Sequence, residues 1–164
     1  MYTKGKVGAY YTQTKNGGIR MIEKDTVRLL RECDAGVKMG VGSINDVLSY
    51  VSNDRFKERL TACRNEHEKL EREITSRLDR FEDDGKDPNP MAKGMSWIKT
   101  NVMLMVNESD GTIADLLTDG CNMGVKSLNK YLNKYKAADE YSKDITKRLI
   151  NLEEQLATDM RSYL

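Results

Sequence analysis

The chain has 164 residues, enough for one domain whose hydrophobic core needs no disulfide or metal staples. Its 27 basic and 26 acidic residues are interspersed and leave a net charge of +1, so no block creates the basic field that nucleic acids or anionic membranes attract. Apolar content of 38% beside charged content of 32% favours long amphipathic helices. We therefore expect neither nucleic acid nor a membrane as a partner.

The three cysteines, Cys33, Cys63 and Cys121, fall on apolar helical faces without CxxC spacing. This pattern indicates neither a disulfide framework nor a thiolate zinc site, and we expect buried free thiols. The N-terminus lacks an apolar stretch of signal-peptide length, and nowhere do about 18 apolar residues run together. These features predict a cytoplasmic protein.

Residues 1–20 are rich in Gly, Lys, Thr and Tyr, a composition that favours turns and extended chain over helix. We expect a flexible N-terminal arm here. The alternative is that Val7, Tyr10 and Tyr11 dock onto the domain or onto a partner subunit. Residues 21–164 are predicted to form the folded domain.

The first helix is predicted from about Met21 to Val51, because apolar residues recur there three and four positions apart. Asp34 alone interrupts this apolar face. Glycines inside a helix cost about 1 kcal/mol each relative to alanine. Since Gly36 and Gly40 lie four apart, we expect another backbone to approach this helix closely.

A second helix is predicted after Ser52-Asn53-Asp54, whose side chains suit an N-cap, and its apolar face continues to about Phe81. The short turn makes residues 21–81 an antiparallel hairpin. Residues 82–111 contain both prolines and are predicted to form a long crossover. Within it, Met91–Met105 has the spacing of an extra amphipathic helix.

A second hairpin is predicted over residues 112–164, with one helix from about Ile113 to Lys136 and another that follows a short turn near Ala138 to Glu140. The sequence Cys121–Lys126 repeats Cys33–Lys38 with the cysteine, glycine, valine and lysine identical. Two similar hairpins joined by a long crossover predict an all-α, ferritin-like four-helix bundle, because an up-down-up-down bundle needs only short loops.

This doubled cysteine, acid-or-amide, x, glycine motif resembles that of a bacterial family of ferritin-like bundles known only as a domain of unknown function. The Gly85-Lys86-Asp87-Pro88 linker ahead of Lys93–Ile98 resembles the same family. The resemblance covers about residues 23–163. It implies the fold and a bacterial cytoplasmic origin, and it implies no activity.

Some bundles of this shape hold two iron ions, using a Glu from each of two helices and Glu-x-x-His from each of the other two. This sequence contains no Glu-x-x-His. Arg64 occupies the Glu position before His67, and Leu156 occupies the His position after Glu153. Each of these two helices therefore keeps half of the motif.

Asp34 and Asn122 occupy the repeat-matched polar positions of the first and third helices. Helix geometry places Asp34 level with about Arg72, roughly 7 Å from His67, too far for one metal ion. Asp34, His67 and Glu153 remain weak candidates for an iron or manganese ion. We expect instead a neutral, hydrogen-bonded core histidine at His67, with Asp34 and Asn122 buried in contact across a pseudo-twofold axis.

No complete catalytic motif emerges from the sequence. The favoured hypothesis is a non-catalytic bundle without a cofactor that works through self-association or partner binding. The alternative is an iron- or manganese-dependent oxidoreductase, or an iron-handling protein, with a non-standard site. We also expect at least a dimer, because the aromatic surface exceeds what one thin bundle buries. This surface comprises Tyr10, Tyr11, Trp97, Tyr131 and Tyr141.

Overall fold

The computed structural model describes residues 17–87, 98, 101 and 109–164. This part of the chain contains four long α-helices and no strand, which confirms the predicted all-α class. The helices are α1 (Gly17–Leu48), α2 (Asp54–Asp79), α3 (Asp110–Lys134) and α4 (Glu140–Met160). Residues 1–16, most of the predicted arm, lie outside the described residues, and α1 begins ahead of the predicted start at Met21.

Polar side chains fix where three of the helices begin. The carboxamide of Asn53 accepts a hydrogen bond from the Phe56 backbone N–H at 3.0 Å and so caps α2, as the sequence predicts. Ser109 caps α3 in the same way, and the Asp139 carboxylate accepts from the Ser142 N–H at 2.8 Å to cap α4.

The helices form two hairpins, α1 with α2 and α3 with α4, as predicted. α1 contacts the other three helices and so does α4, whereas α2 and α3 lie on a diagonal without contact. The order around the bundle is therefore α1, α2, α4, α3. α1 and α4 are therefore each covered by three other helices.

Contacts at the two ends of the bundle reveal the helix directions. At one end, the backbone N–H groups of Ser52 and Asn53 donate to the Asp110 carboxylate, and the Phe56 ring stacks on Tyr163 at 4.2 Å. The start of α2, the start of α3 and the end of α4 therefore meet at this end. Because α2 and α3 both run away from it, they are parallel.

The opposite end gathers the first third of α1, the end of α2 and the α3–α4 turn. There the Asp139 N–H donates to Thr26 Oγ1 at 2.8 Å, and the Arg77 guanidinium donates to the Asp139 carboxylate at 2.7 Å. The segment between α2 and α3 must consequently travel the length of the bundle, which for a helix of 25 residues is about 37 Å.

Most of the predicted crossover helix, including Trp97, lies outside the described residues. Ile98 and Asn101 are both helical, and the Ile98 side chain is only 2% exposed. Ile98 belongs to the apolar cluster at the Phe56 end of the bundle and lies beside Gly120 of α3.

The core consists of two large apolar clusters, one toward each end of the bundle, and a small third cluster of Leu29, Tyr135 and Ala138. The cluster at the Phe56 end includes Ile44, Leu60, Ile113 and Leu156. The cluster toward the other end includes Leu30, Ile74, Leu128 and Leu149. Buried polar side chains, which need partners inside the protein, include Asp34, His67 and Glu153.

Candidate functional site

A buried ion pair joins α2 to α4 in the middle of the bundle. His67 Nε2 lies 2.9 Å from Glu153 Oε1, with His67 0% exposed and Glu153 9% exposed. The two halves of the Glu-x-x-His motif, each incomplete on its own helix, are thus brought together by the fold. Both residues are weak metal candidates in the sequence analysis, but an ion pair between them was not predicted.

Both ring nitrogens of His67 have partners. Nδ1 lies 2.9 Å from the Cys63 backbone carbonyl, which can only accept, so Nδ1 carries a proton. Burial lowers the pKa of His67, but hydrogen bonds to Cys63 and Glu153 and the charge of Glu153 outweigh it and raise the pKa to about 10. The raised pKa favours a charged His67 instead of the neutral histidine that the sequence predicts, whereas its burial and its hydrogen bonds are as predicted. Glu153 reaches the ring from another helix, and the sequence gives no sign of it.

Two glycines lie against this pair, Gly40 in a tight contact and Gly124 in an ordinary one. A Cβ at Gly40 of α1 would lie 2.7 Å from both Cδ2 and Nε2 of the His67 ring, closer than side chains tolerate. A Cβ at Gly124 of α3 would meet the Glu153 side chain at 3.6 Å. The close approach predicted for the α1 glycines is real at Gly40, but the approaching group is an imidazole ring and not a backbone.

The three cysteines are free and buried, as predicted. Burial raises the pKa of the Cys33 thiol to about 12, even though its hydrogen bond with Thr146 lowers it. Burial, together with the charge of Glu153 and a hydrogen bond to it, raises the pKa of Cys121 far above its usual range. Since the thiolate is the reactive form, Cys33 and Cys121 are poor nucleophiles at neutral pH.

Asp34 forms a second buried polar site, on the side of α1 that faces the segment after α2. Its Oδ2 accepts from the Lys38 ammonium and from the Lys86 backbone N–H, both at 2.9 Å, and its side chain is 2% exposed. Lys38 also reaches the Asp87 carboxylate at 3.0 Å. Gly85 packs on the Asp34 carboxylate in a left-handed conformation with φ of 81°.

We name this group of Asp34, Lys38 and residues 85–87 the Asp34 clasp. It fastens the first residues of the crossover to the middle of α1. Asp34 Oδ1 is buried and has no hydrogen-bond partner among the described residues. The Lys86 ammonium adds an ion pair with Glu32 at 2.8 Å. In the sequence, Gly85 within an acidic run indicates a turn at this place. The contact of this turn with Asp34 on α1 could not be predicted.

The predicted contact between Asp34 and Asn122 is wrong. Asn122 is exposed on α3, because that helix buries Cys121 and turns the following residue outward. On α1 both Cys33 and Asp34 are buried, since this helix is covered by three others and by the clasp. Repeat-matched positions therefore differ in environment.

The structure separates the three metal candidates into two places. His67 and Glu153 contact one another, whereas Asp34 belongs to the clasp with Lys38 and Lys86. Within the described residues, no group of three or more His, Cys, Asp or Glu side chains could hold a metal ion. At the pair, Gly40 and Gly124 supply no ligand atom, and both His67 nitrogens already have partners, the Cys63 carbonyl and the Glu153 carboxylate. This donor set does not fit a di-iron centre.

No family model, no curated protein and no solved structure matches the chain. Among the described residues, no helix combines the length and the apolar character needed to cross a membrane.

Proposed function

We propose that the chain is a non-catalytic ferritin-like bundle that acts through self-association or through binding a protein partner. The observation that carries this proposal is the His67–Glu153 ion pair, which fills the position between α2 and α4 where a metalloenzyme of this shape would keep its ligands. A proton held between the two side chains supplies the positive charge that a metal would otherwise supply.

The helices around the pair support the same conclusion. A di-iron bundle needs a carboxylate from each of the helices that here present Gly40 and Gly124. A larger side chain at Gly40 would collide with the His67 ring, so the glycine and the ion pair fit together as one packing solution. We infer that the interior is adapted for stability and for a unique pairing of helices, as single buried polar groups are in coiled coils.

The surface is where a non-catalytic bundle would act. Large apolar side chains that are exposed include Met21, Ile22, Met123 and Tyr141. Exposed aromatic and methionine side chains are favoured at protein interfaces. We therefore keep the prediction of a homo-oligomer as part of the proposal, with a cytoplasmic location and the ferritin-like family origin that the resemblance implies.

The rival is a metal-dependent oxidoreductase or iron-handling protein with a non-standard site. One observation favours it, namely that His67 and Glu153 are adjacent and that Cys63 Sγ lies 3.6 Å from His67 Nδ1. A groove of about 390 Å³ lined by Cys63, Leu152 and Leu156 lies between α2 and α4 on that side. Binding would require the metal to displace the protons on His67 and to recruit at least one more ligand.

Elemental analysis of protein expressed with added iron and manganese tests the proposal against its rival. We expect far less than one metal ion per chain, with the same value in His67→Gln and Glu153→Gln variants. Near-stoichiometric metal that is lost in both variants would overturn the proposal. Light scattering on the same samples should give a mass that rises with concentration toward a dimer or larger, and a monomer at every concentration would remove the self-association half.

A further inference from the structure

The outer face of α3 carries a stripe of polar side chains. Residues three and four apart lie on one side of a helix, so this set lies along a single line. All of its members are exposed, on the side opposite the buried Leu117, Cys121 and Leu128. The members of the α3 stripe are Asp115, Asp119, Asn122, Lys126 and Lys130.

The charges of the α3 stripe are ordered along the helix. Both acids precede Asn122 and both bases follow it, at matching distances from the midpoint between Asn122 and Met123. The helix dipole does not account for this order, because its influence fades within the first and last turns and the four charges lie further inside. Two copies of the stripe placed antiparallel would put Asp115 opposite Lys130 and Asp119 opposite Lys126.

The four charges have no counter-charge among the residues that the structure describes. Elsewhere, charged side chains pair between helices, as Glu73 does with Arg148 at 2.6 Å and Arg59 with Asp159 at 2.8 Å. The stripe forms no ion pair with any described residue. Within the stripe, side chains of like charge lie four residues apart, Asp115 with Asp119 and Lys126 with Lys130. Like charges at this spacing destabilise an isolated helix. An opposite charge from outside the chain would relieve this repulsion.

We propose that two copies of this chain associate through antiparallel α3 stripes, related by a twofold axis near Asn122 and Met123. This inference rests on the proposed self-association and names its surface. A twofold interface must be self-complementary, and the ordered acids and bases meet that condition without any other partner. Met123, 47% exposed at the centre, would lie against its own copy and add apolar contact at the axis.

The expected dimer is weak and sensitive to salt. Exposed ion pairs contribute little affinity, and a contact made by one helix from each chain is small. Charge order at such a surface mainly selects the partner and its orientation, because like charges placed opposite one another are strongly unfavourable. The stripe therefore specifies an antiparallel pairing more than it provides a tight one.

Charge reversal tests the stripe by sedimentation equilibrium at low and high salt. The acid-reversed variant carries Asp115→Lys with Asp119→Lys, and the base-reversed variant carries Lys126→Glu with Lys130→Glu. Each variant alone places like charges opposite one another, so we expect self-association weakened by roughly tenfold or more. An equimolar mixture of the two variants should form a heterodimer, because every pair across the axis is again opposite in sign.

The matched control for the base-reversed variant is Lys57→Glu with Lys147→Glu, two exposed lysines on α2 and α4 whose reversal lowers the net charge by the same amount. This control should associate as the wild type does, and circular dichroism should show unchanged helix content in all variants. Unchanged association of both reversed variants would show that the stripe is not the interface, while leaving self-association itself intact. A wild type that stays monomeric up to about 1 mM would overturn this inference and the self-association proposal together.

Discussion

Gly40 lies against the imidazole of His67 so closely that a methyl group on residue 40 would be 2.7 Å from two ring atoms. The ring cannot move aside freely, because Cys63 and Glu153 hold its two nitrogens at 2.9 Å. The glycine on α1 and the ion pair between α2 and α4 are therefore parts of one arrangement. Substitution of either part should disturb the other.

Gly40→Ala should lower the free energy of unfolding. Helix propensity alone would favour alanine by about 1 kcal/mol, but inserting a methyl group into a filled core costs about 1–3 kcal/mol, and the clash should prevail. Gly36→Ala is the matched control, since a Cβ there would be 3.8 Å from Leu149, an ordinary contact. Urea unfolding should show that Gly36→Ala is neutral or stabilising, and equal stability of the two variants would contradict the prediction.

The His67–Glu153 pair should make stability depend on pH in the alkaline range. The pKa of His67 is raised from 6.5 in the unfolded chain to about 10 in the folded one, so the folded state holds the proton more tightly. This contribution is fully present below about pH 6.5 and is lost as the pH rises through about 10. Between these values, stability should fall by up to about 1.4 kcal/mol per pH unit.

Glu153→Gln removes the charge that keeps this proton on His67. The decline of stability between about pH 7 and 9 should then become shallower than in the wild type, because the folded-state pKa of His67 moves back toward its ordinary value. Urea unfolding at several pH values measures both slopes. Identical slopes in the two proteins would mean that Glu153 does not raise the pKa of His67.

The helices could be predicted because a helix that buries one face has apolar residues at regular spacing in its own sequence. Apolar residues spaced three and four apart mark α1 to α4, and Asn53 marks the start of α2 through a contact only three residues away. The parallel direction of α2 and α3 could also be predicted, because the connection between them is long enough to carry the chain back to the end of the bundle where α2 begins. Boundaries shifted by a few residues because helix ends depend on caps and not on periodicity.

The partners of the buried polar residues could not be predicted. His67 and Glu153 lie 86 positions apart in sequence, and only the packing of α2 on α4 decides that they meet. Asp34 is buried because Gly85 and Lys86 cover it, whereas Asn122 at the matching repeat position has no such cover and is exposed. The internal repeat predicts that the two positions have similar residues. It does not predict their solvent exposure, which depends on the segments that pack over each position.

Gly85→Ala should loosen the Asp34 clasp. A side chain at φ of 81° costs about 1–2 kcal/mol, and a Cβ at this position would also collide with the buried Asp34 carboxylate. We expect the free energy of unfolding to fall by at least about 2 kcal/mol. Gly18→Ala is the control, because nothing lies within 4 Å of its Cβ position. A Gly85→Ala protein as stable as Gly18→Ala in urea would exclude a close-packed clasp.

Asp34→Asn should preserve the fold and reduce stability by about 1–2 kcal/mol. The amide oxygen can still accept from the Lys86 N–H, and Lys38 keeps the exposed Asp87 as a counter-charge, so no charge is left buried alone. Asp87→Asn should change stability by no more than about 0.5 kcal/mol, because Asp87 is 91% exposed. Both values come from urea unfolding, and hydrogen exchange at the Lys86 amide reports directly on the clasp.

The same variants separate a structural clasp from a cation site. If Asp34 ligated iron or manganese, added metal would raise the melting temperature of the wild type and not that of Asp34→Asn, because a ligand that binds only the folded state stabilises it. We expect no such rise, since the Lys38 ammonium already occupies the Asp34 carboxylate at 2.9 Å and supplies the cation that this buried charge requires. A metal-dependent rise confined to the wild type would make Asp34 a ligand and Lys38 its competitor.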